Sequence, residues 1–228
     1  MLLGEDTINM LQNSTVAVFG CGGVGSYAIE ALCRCGVGNL VLIDNDLVDA
    51  SNINRQLIAT QKTLGLAKVL AAKMRCEEIN PEIKIKPLKL FYSSDSDSEF
   101  LDGCDYVVDA IDTISAKLHL VEICKQKKIP IISAMGAGNK TDPTMFEVSD
   151  IYKTSVCPLC RVMRRELKAL DIKNLKVVFS KELPLVPQES TEQNNKRSAP
   201  GSLPFVPGAM GLIIAREVVF DLKGLKLC

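Results

Sequence analysis

A glycine-rich turn between an apolar run and a helical pattern constrains the fold of this chain more than any other feature of its sequence. Residues 15–20 form an apolar, β-branched run that is too short for a helix, which predicts a buried strand. The turn, Gly-Cys-Gly-Gly-Val-Gly at 20–25, precedes apolar residues at helical spacing over 24–35 and a second apolar run at 40–43. Strand, turn, helix and strand in this order form a βαβ unit, so we predict a parallel sheet with a right-handed crossover.

The alternation of short apolar runs and helical patterns continues along the rest of the chain. It predicts helices at 63–79 and 114–128 and strands at 83–90, 106–111 and 129–134. Beyond residue 140 it predicts strands at 145–149 and 175–180, a basic helix at 158–170 and a closing amphipathic helix at 211–222. The fold class that follows is α/β, with a doubly wound, mostly parallel sheet of the Rossmann type and an α+β extension toward the C-terminus.

One domain accounts for the whole chain, because 228 residues with 47% hydrophobic content suffice for a single packed core. Within residues 1–228 we distinguish a nucleotide-binding core, 1–140, from a substrate-side extension, 141–228. Residues 184–208 contain five prolines and a long polar run. This composition predicts a mobile loop, of the kind that often carries function.

Charge and composition exclude several classes of protein. Lys+Arg and Asp+Glu both number 27, so the overall charge does not indicate a polyanionic partner. The N-terminus lacks a basic segment followed by an apolar one, and no apolar run reaches the roughly 18 to 20 residues of a membrane span. The nine cysteines are scattered, unlike the dense framework of a small disulfide-rich domain. We therefore expect a cytoplasmic protein with reduced cysteines and no membrane partner.

The glycine turn is also the first candidate binding site. Gly20, Gly22 and Gly25 match G-x-G-x-x-G, with Gly23 inside the motif, and the position between a strand and a helix is the context that the motif requires. Glycines let the backbone approach a phosphate, and the free amides at a helix N-terminus attract it. Asp44, at the end of the next strand, is placed to accept hydrogen bonds from ribose hydroxyls. These features alone favour NAD.

Polar and charged residues beyond the second strand shift the prediction from NAD to ATP. Arg55 and Lys68 supply cations, which a neutral nicotinamide does not need but a triphosphate that loses pyrophosphate does. Asp112 follows the strand at 106–111, at the edge where such sheets bind ligands, and its carboxylate suits Mg²⁺. The other polar residues of this group are Asp46, Asn52 and Gln56.

This ordered set of motifs resembles the ubiquitin-activating-like adenylating enzymes, the ThiF/MoeB/HesA superfamily. The motifs lie at 20–25, 42–46, 51–56, 65–68 and 109–112. Later stretches are similar to the tRNA threonylcarbamoyladenosine dehydratase branch of that superfamily, and they lie at 135–140, 142–143, 150–155, 161–167 and 201–207. The resemblance covers nearly the whole chain.

The resemblance implies that ATP adenylates the carboxylate of a threonylcarbamoyl group on a tRNA adenosine, after which internal attack expels AMP and closes a cyclic product. It implies phosphate contacts for Gly22 and Gly23, a ribose contact for Asp44 and Mg²⁺ at Asp112. Arg55 and Lys68 would stabilise the pentacoordinate α-phosphorus, which is catalysis without a protein nucleophile. The nucleotide-binding set is Gly20, Gly22, Gly23, Gly25, Asp44, Asp46, Asn52, Arg55, Gln56, Lys68, Asp112 and Thr113.

The chain departs from the superfamily in three respects. Members usually receive an Arg from an N-terminal segment of a partner subunit, and that segment would precede Leu2, so either the chain is truncated or this function is vacant. Related sulfur-carrier activators hold zinc with two CxxC pairs, whereas Cys157-Pro-Leu-Cys160 is followed only by Cys228, so we expect no structural zinc. Residues 184–208 contain no cysteine, which argues against a catalytic cysteine there.

The resemblance also bears on partners. It implies a homodimer, and a sulfur-relay protein is a further candidate. For tRNA the candidate surface is the basic helix at 158–170, where cations three and four residues apart share a face and would contact phosphates without reading the base sequence. The residues of this surface are Lys153, Arg161, Arg164, Arg165 and Lys168. Because Glu166 is adjacent, a solvated helix without a ligand explains the pattern equally well.

Three other functions stay open. The first is the same adenylation on the C-terminal glycine of a small ubiquitin-like sulfur-carrier protein, and the absent second CxxC pair and loop cysteine count against it. The second is an NAD-dependent oxidoreductase. The third is a nucleotide-binding scaffold without catalysis, against which Arg55, Lys68 and Asp112 count.

Overall fold

A seven-stranded sheet forms the centre of the computed structural model, which describes residues 2–186 and 201–224. Its strands are β1 (Thr15–Phe19), β2 (Asn39–Ile43), β3 (Lys84–Leu88), β4 (Tyr106–Asp109), β5 (Ile131–Ala134), β6 (Phe146–Asp150) and β7 (Lys176–Ser180). Their spatial order is β3-β2-β1-β4-β5-β7-β6. Neighbouring strands run parallel, except that β6 pairs antiparallel with β7 at one edge. The segment beyond residue 140 thus extends the same sheet.

Helices cover both faces of this sheet. They are α1 (Glu5–Asn13), α2 (Gly25–Arg34), α3 (Lys68–Ile79), α4 (Ile114–Lys127), α5 (Pro158–Ala169) and α6 (Phe205–Leu222). In β1, Val16 and Val18 face the layer that contains α1, α2, α3 and α6, whereas Ala17 and Phe19 face the layer of α4 and α5. Because both faces of the strand are covered, apolar residues follow one another without polar alternation.

The direction in which the chain winds reverses next to β1. From β1 the chain crosses through α2 to β2 on one side, and from β4 it crosses through α4 to β5 on the other. In doubly wound sheets, ligands bind in the crevice outside the carboxyl ends of the strands at such a reversal. At this point Gly20 lies against Ala110, and a Cβ on Gly20 would be 2.6 Å from the Ala110 carbonyl oxygen. The sheet therefore positions the glycine turn beside the end of β4.

The predicted fold class is confirmed, whereas several element boundaries were wrong and one helix was missed. The helix predicted from residue 63 begins at Lys68, because Gly65 has a φ of +79° and Ala67 is held in an extended conformation by a bridge to Leu47. The strand predicted to reach residue 111 ends at Asp109, whose carboxylate accepts a hydrogen bond from the Ile111 amide at 3.2 Å and turns the chain. Helix α1 was not predicted.

The closing helix also differs from its prediction. It begins at Phe205 rather than at residue 211, and it is not amphipathic, because its one exposed stripe carries the apolar Phe205 and Leu212 beside Arg216. The rest of its circumference is buried. The reason is its close packing on α2, since a Cβ on Gly211 would lie 2.4 Å from the Val24 carbonyl oxygen. Residues 205–208 therefore belong to a helix and not to the predicted mobile loop, and residues 187–200 of that loop lie outside the described residues. Within the described ranges no helix has the length and apolarity to cross a bilayer.

Candidate active site

A cavity of about 570 Å³ opens at the carboxyl edge of the sheet, beyond the ends of β1, β2, β4 and β5. Of the twelve residues predicted to bind nucleotide, all except Gly25 line it. The lining members are Gly20, Gly22, Gly23, Asp44, Asp46, Asn52, Arg55, Gln56, Lys68, Asp112 and Thr113. Side chains from four separate segments of the chain therefore converge on one space.

The glycines of the turn differ in what surrounds them. Gly20 has a φ of +90°, and a Cβ on Gly25 would lie 1.7 Å from the Gly20 carbonyl oxygen, so both are required for the turn itself. A Cβ on Gly22 would meet only Gln56 Nε2, at 3.8 Å, which leaves the backbone of Gly22 open to the cavity. A Cβ on Gly23 would lie 3.3 Å from Pro207 at the start of α6. Gly22 is thus the glycine of the turn whose lack of a side chain matters for the approach of a ligand and not for the fold.

Asp44 holds this turn in position. Its Oδ2 accepts a hydrogen bond from the Cys21 amide at 2.7 Å, and its Oδ1 accepts one from the Asp46 amide at 2.8 Å. The thiol of Cys21 is fully buried, and burial together with the nearby Asp44 raises its pKa well above the usual value. The buried side chain of Cys21 therefore fills the turn.

Lys68 stands at the first position of α3 and is buried against the cavity wall. Its Nζ donates to Asp46 Oδ2 at 2.6 Å, and its backbone amide donates to the Asp46 carbonyl at 3.0 Å. The side chain of Asp46 is 57% exposed, so its other oxygen lies in solvent. An ammonium group has three hydrogens to donate, and the ion pair uses one of them. Asp46 therefore fixes the direction of the ammonium group while leaving donors for a ligand.

Two amides lie between the turn and Lys68. Asn52 Oδ1 accepts a hydrogen bond from the Asp49 amide at 3.1 Å and so caps a single 3₁₀ turn, which gives Asn52 a structural contact in addition to its place on the wall. The Oε1 atom of Gln56 is buried and has no hydrogen-bond partner in the described part of the chain. A buried acceptor without a partner costs about 1–3 kcal/mol, which a ligand donor can recover.

Arg55 and Asp112 reach the same space from more exposed positions. Arg55 Nη1 donates to the Ser51 carbonyl at 2.8 Å and to Asn54 Oδ1 at 2.9 Å, so one end of the guanidinium group is held in place. Asp112 is exposed, and its only described hydrogen bond comes from Thr113 Oγ1 at 3.3 Å. Among the described residues its carboxylate forms no ion pair, and its Oδ2 accepts no hydrogen bond, which leaves that oxygen to bind a cation.

A buried ion pair beneath the cavity was missed in the sequence. Lys117 of α4 and Asp109 at the end of β4 are both 0% exposed, and Nζ donates to Asp109 Oδ2 at 2.9 Å and to the Ala134 carbonyl at 2.8 Å. The other oxygen of Asp109 accepts from the Ile111 amide. The pair therefore ties the ends of β4 and β5 together and sets the course of the segment that carries Asp112. The position of Lys117 among apolar residues on one face of a predicted helix was the sequence signal that could have indicated this pair.

The apolar wall of the cavity was also missed. It comprises Leu90, Phe91, Tyr92, Met135 and Leu159, which follow β3 and β5 or begin α5. Tyr92 is anchored by an edge-to-face contact with the ring of Phe19, at 4.8 Å between centroids. Apolar residues behind a strand have no distinctive spacing, so the sequence contained no signal for them. Together they give the cavity one apolar side and one charged side.

The predicted tRNA surface divides into two groups. Arg161, Arg165 and Lys168 are exposed on the face of α5 opposite its buried residues, and Lys153 is exposed in the preceding turn. Arg164 Nη1 instead donates to the Thr154 carbonyl at 3.0 Å, so its guanidinium group holds α5 to that turn. Three exposed cations therefore share one helix face. We call Lys153, Arg161, Arg165 and Lys168 the basic surface.

The sequence predicts a Mg²⁺ site at Asp112 and no structural zinc site. Within the described ranges no three side chains of His, Cys, Asp or Glu converge in a way that would hold a metal ion. Cys157 and Cys160 are both buried and free. The absence of structural zinc stays a prediction.

Comparison with known proteins identifies relatives for the whole chain. The model of the ThiF family matches residues 1–226. A tRNA threonylcarbamoyladenosine dehydratase of Bacillus subtilis is 45% identical over 233 residues, which cover 97% of this chain and 92% of that protein. Crystal structures of the E. coli tRNA N6-threonylcarbamoyladenosine dehydratase TcdA, one with ATP and one with AMP, superpose with a TM-score of 0.89 at 32% identity, covering 98% of this chain and 91% of that one. A molybdopterin-synthase adenylyltransferase of Haemophilus influenzae is 35% identical over 64% of this chain and 64% of that protein.

Proposed function

The chain belongs to the ThiF family, and on this basis we propose that it uses ATP to dehydrate a threonylcarbamoyl group on a tRNA adenosine to a cyclic product. The observation that carries the proposal is that Arg55, Lys68 and Asp112 line the same cavity as the glycine turn. Binding NAD does not require groups that stabilise a departing pyrophosphate, whereas cleavage of ATP does. Among the relatives reported above, those that match over nearly the full length of both chains are tRNA dehydratases, which favours tRNA over a carrier protein as the substrate.

The cavity suits ATP in size and in the chemistry of its walls. Its volume of about 570 Å³ lies in the range of nucleotide-sized sites. Gly22 leaves open backbone for phosphate oxygens, and Asp44 lies where ribose hydroxyls can donate to it. The unpartnered Oε1 of Gln56 accepts a donor from the ligand. Tyr92 and Leu159 belong to the apolar wall that a purine base requires.

The first chemical step is adenylation of the substrate carboxylate. A carboxylate oxygen attacks the α-phosphorus of ATP, the bond to the bridging oxygen breaks, and pyrophosphate leaves with the electron pair. Negative charge increases on the phosphorus oxygens in the transition state, and Lys68 and Arg55 are placed to stabilise it. Because Asp46 already orients Lys68, little rearrangement of the ammonium group is needed during the reaction.

The second step closes the ring. The carbamoyl group, held close to the activated carbonyl by its own covalent attachment, attacks the acyl carbon. The bond from that carbon to the AMP oxygen breaks, AMP leaves with the electron pair, and the carbamoyl N–H proton passes to solvent. The carboxyl oxygen leaves with AMP, so the nucleoside loses the elements of one water molecule. A tethered nucleophile needs no covalent enzyme intermediate, and the raised pKa of Cys21 agrees with a reaction that uses no thiolate at the turn.

Mg²⁺ is part of the proposal, with Asp112 as its protein ligand. The exposed carboxylate of Asp112, free of ion pairs among the described residues, fits a cation that keeps most of its water and binds through one carboxylate and the phosphates. When bound, the ion neutralises phosphate charge. Asp109 and Lys117 position Asp112 by fixing the end of β4.

The direct test of this function incubates the full chain with ATP, Mg²⁺ and threonylcarbamoyl-modified tRNA. We expect AMP in solution and a nucleoside lighter by one water, both detected by mass spectrometry. Parallel reactions replace the tRNA with a carrier protein or replace ATP with NAD. AMP formation that requires the carrier protein would replace our proposal with carrier activation, and reduction of NAD without use of ATP would refute it altogether.

We further propose that the basic surface contacts tRNA phosphates. Replacing Arg161, Arg165 and Lys168 with Ala should weaken tRNA binding and reduce the slope of log K against log salt by up to about 3, since each phosphate contact contributes about 1. ATP binding should not change. The matched control replaces Lys84, Lys86 and Lys89, three exposed lysines on and beside β3. An equal salt slope in both triple variants would exclude this face of α5 from tRNA binding.

Gly22→Ala tests the phosphate site without disturbing the fold. The new methyl group meets only Gln56 Nε2 in the protein, so we expect an unchanged free energy of unfolding, but it occupies the approach of a phosphate and should weaken ATP binding about tenfold or more. Gly20→Ala is the contrast, because a φ of +90° and the Ala110 carbonyl at 2.6 Å should cost about 1–3 kcal/mol of stability. Calorimetric titration and denaturant unfolding measure the two effects. Unchanged ATP affinity in Gly22→Ala would remove this turn from the phosphate site.

Three further features complete the proposal. We propose a homodimer, as the superfamily likeness implies, and a sulfur-relay protein as a candidate partner. A cytoplasmic location follows from the tRNA substrate.

A further inference from the structure

The reaction proposed above leaves one motif without a function, the Cys157-Pro-Leu-Cys160 sequence at the beginning of α5. Cys157 is the residue immediately before this 12-residue helix, and Pro158 occupies its first position. Residues three apart in a helical turn lie on the same side. Cys-x-x-Cys pairs at helix N-termini are the arrangement in which the first thiol is most easily ionised.

The surroundings of the two sulfur atoms differ. The thiol of Cys160 and the backbone amides of Cys160, Gly136 and Leu159 donate hydrogen bonds to Cys157 Sγ, which lowers the pKa of Cys157 to about 5 despite its burial. The same hydrogen bond and burial raise the pKa of Cys160. Cys157 therefore ionises more easily than Cys160, which makes Cys157 the attacking group and Cys160 the resolving group of a dithiol.

The pair also lies directly behind the wall of the ATP cavity. Gly136 and Leu159 line that cavity, and a Cβ on Gly136 would be 3.6 Å from Cys157 Sγ. Cys157 is itself buried, at 2% exposure, so Gly136 is the wall residue that separates its sulfur from the open space. Neither Cys157 nor Cys160 lines the cavity itself, but Leu159 between them does, whereas the other adjacent pair, Cys33 and Cys76, lies in the core between α2 and α3.

We propose that Cys157 and Cys160 are a peroxide-reactive dithiol that forms a reversible intramolecular disulfide at the wall of the cavity. The Cys157 thiolate attacks one oxygen of hydrogen peroxide, the O–O bond breaks, and the departing hydroxide takes a proton to become water. Cys160 then attacks the sulfenic sulfur of Cys157, forming the S–S bond and releasing a second water. Two thiols lose two electrons in total, and one peroxide becomes two waters. A dithiol reductant reverses the reaction by exchange.

The experiment uses the reduced full chain, limiting hydrogen peroxide, and alkylation of the remaining thiols before digestion with trypsin. Cleavage after Lys153 and Arg161 releases residues 154–161, a peptide that contains Cys157 and Cys160 and no other cysteine. We expect this peptide to become about 2 Da lighter and to resist alkylation, with both changes reversed by dithiothreitol. Its oxidation should be about tenfold faster than that of peptides containing Cys33 or the exposed Cys35. Full alkylation of Cys157 and Cys160 after Cys35 has been oxidised would overturn the proposal.

Two variants test the order of events and the route of access. In Cys160→Ser the sulfenic acid of Cys157 has no resolving thiol, so it should accumulate and react with dimedone, and no peptide lighter by 2 Da should form. In Gly136→Ala the methyl group covers Cys157 Sγ at ordinary contact distance, so oxidation should slow about threefold or more. Oxidation of Gly136→Ala at the original rate would refute access through the cavity wall. These readouts follow sulfur chemistry alone, so they succeed or fail independently of ATP turnover.

Discussion

Lys68→Ala is expected to lower kcat for ATP-dependent dehydration about a thousandfold, equivalent to about 4 kcal/mol of transition-state stabilisation. Lys68 is the one described cation that is both buried at the cavity and aligned by a carboxylate, Asp46, at 2.6 Å. Its charge therefore acts in a site with little water, where electrostatic stabilisation is strongest. The KM for ATP should change less than kcat, because the charge matters most when pyrophosphate departs. Steady-state kinetics with a quantified AMP product measure both values.

The fold should survive this substitution. The carboxylate that loses its partner, Asp46, is 57% exposed, so water solvates it, and the free energy of unfolding should fall by about 1 kcal/mol or less. Lys73→Ala is the matched control, since Lys73 lies on the same helix and pairs with Glu77 at 3.6 Å on the surface. Equal kcat values for the Lys68 and Lys73 variants would remove Lys68 from catalysis.

The largest effect on stability is expected for Lys117→Met, which should lower the free energy of unfolding by about 3–5 kcal/mol. Lys117 and Asp109 are both 0% exposed, so the substitution leaves a carboxylate without water and without its cation. Methionine nearly keeps the shape of the lysine side chain, so the lost stability measures the effect of removing the charge. Urea unfolding curves with a common m-value measure it.

Two further variants separate the charge from other effects. Asp109→Asn combined with Lys117→Met contains no isolated buried charge and should recover much of the lost stability. Lys127→Met, on the same helix, breaks a surface pair with Asp102 and should cost about 1 kcal/mol or less. If the double variant were less stable than Lys117→Met, the buried pair would not be the source of the loss. The double variant should still bind ATP more weakly, because the contact from Lys117 that ties β4 to β5 is gone.

Prediction from the sequence succeeded where the signals are local. The run at 15–20, the glycines that follow it and the helical spacing after them predicted β1, the turn and α2, because strand and helix periodicity extends over neighbouring residues. It failed at residue 63, where a bridge between Leu47 and Ala67 delays α3. That bridge joins residues that are distant in the chain, so no local pattern contains it.

For the candidate site, too, prediction succeeded for local signals and failed for contacts between distant segments. Arg55, Lys68 and Asp112 were predicted together, because the carboxyl ends of parallel strands meet at one edge of a sheet. Lys117 was missed because its pairing with Asp109 exists only after α4 packs on β4. Tyr92 was missed because an apolar residue behind a strand looks the same whether it faces a ligand or the core.

The sequence by itself determined that the chain forms a doubly wound sheet with a phosphate-binding turn, since strand and helix periods and glycine positions dictate both. It also determined which cations and carboxylates accompany that turn. Only the tertiary structure decided that Asp46 aligns Lys68, that Gln56 keeps an unpartnered oxygen at the wall, and that Cys157 lies behind Gly136. The physical reason is the separation along the chain of the residues that interact. Backbone conformation depends on neighbours in the chain, whereas charge pairing, burial and access depend on which distant segments pack together.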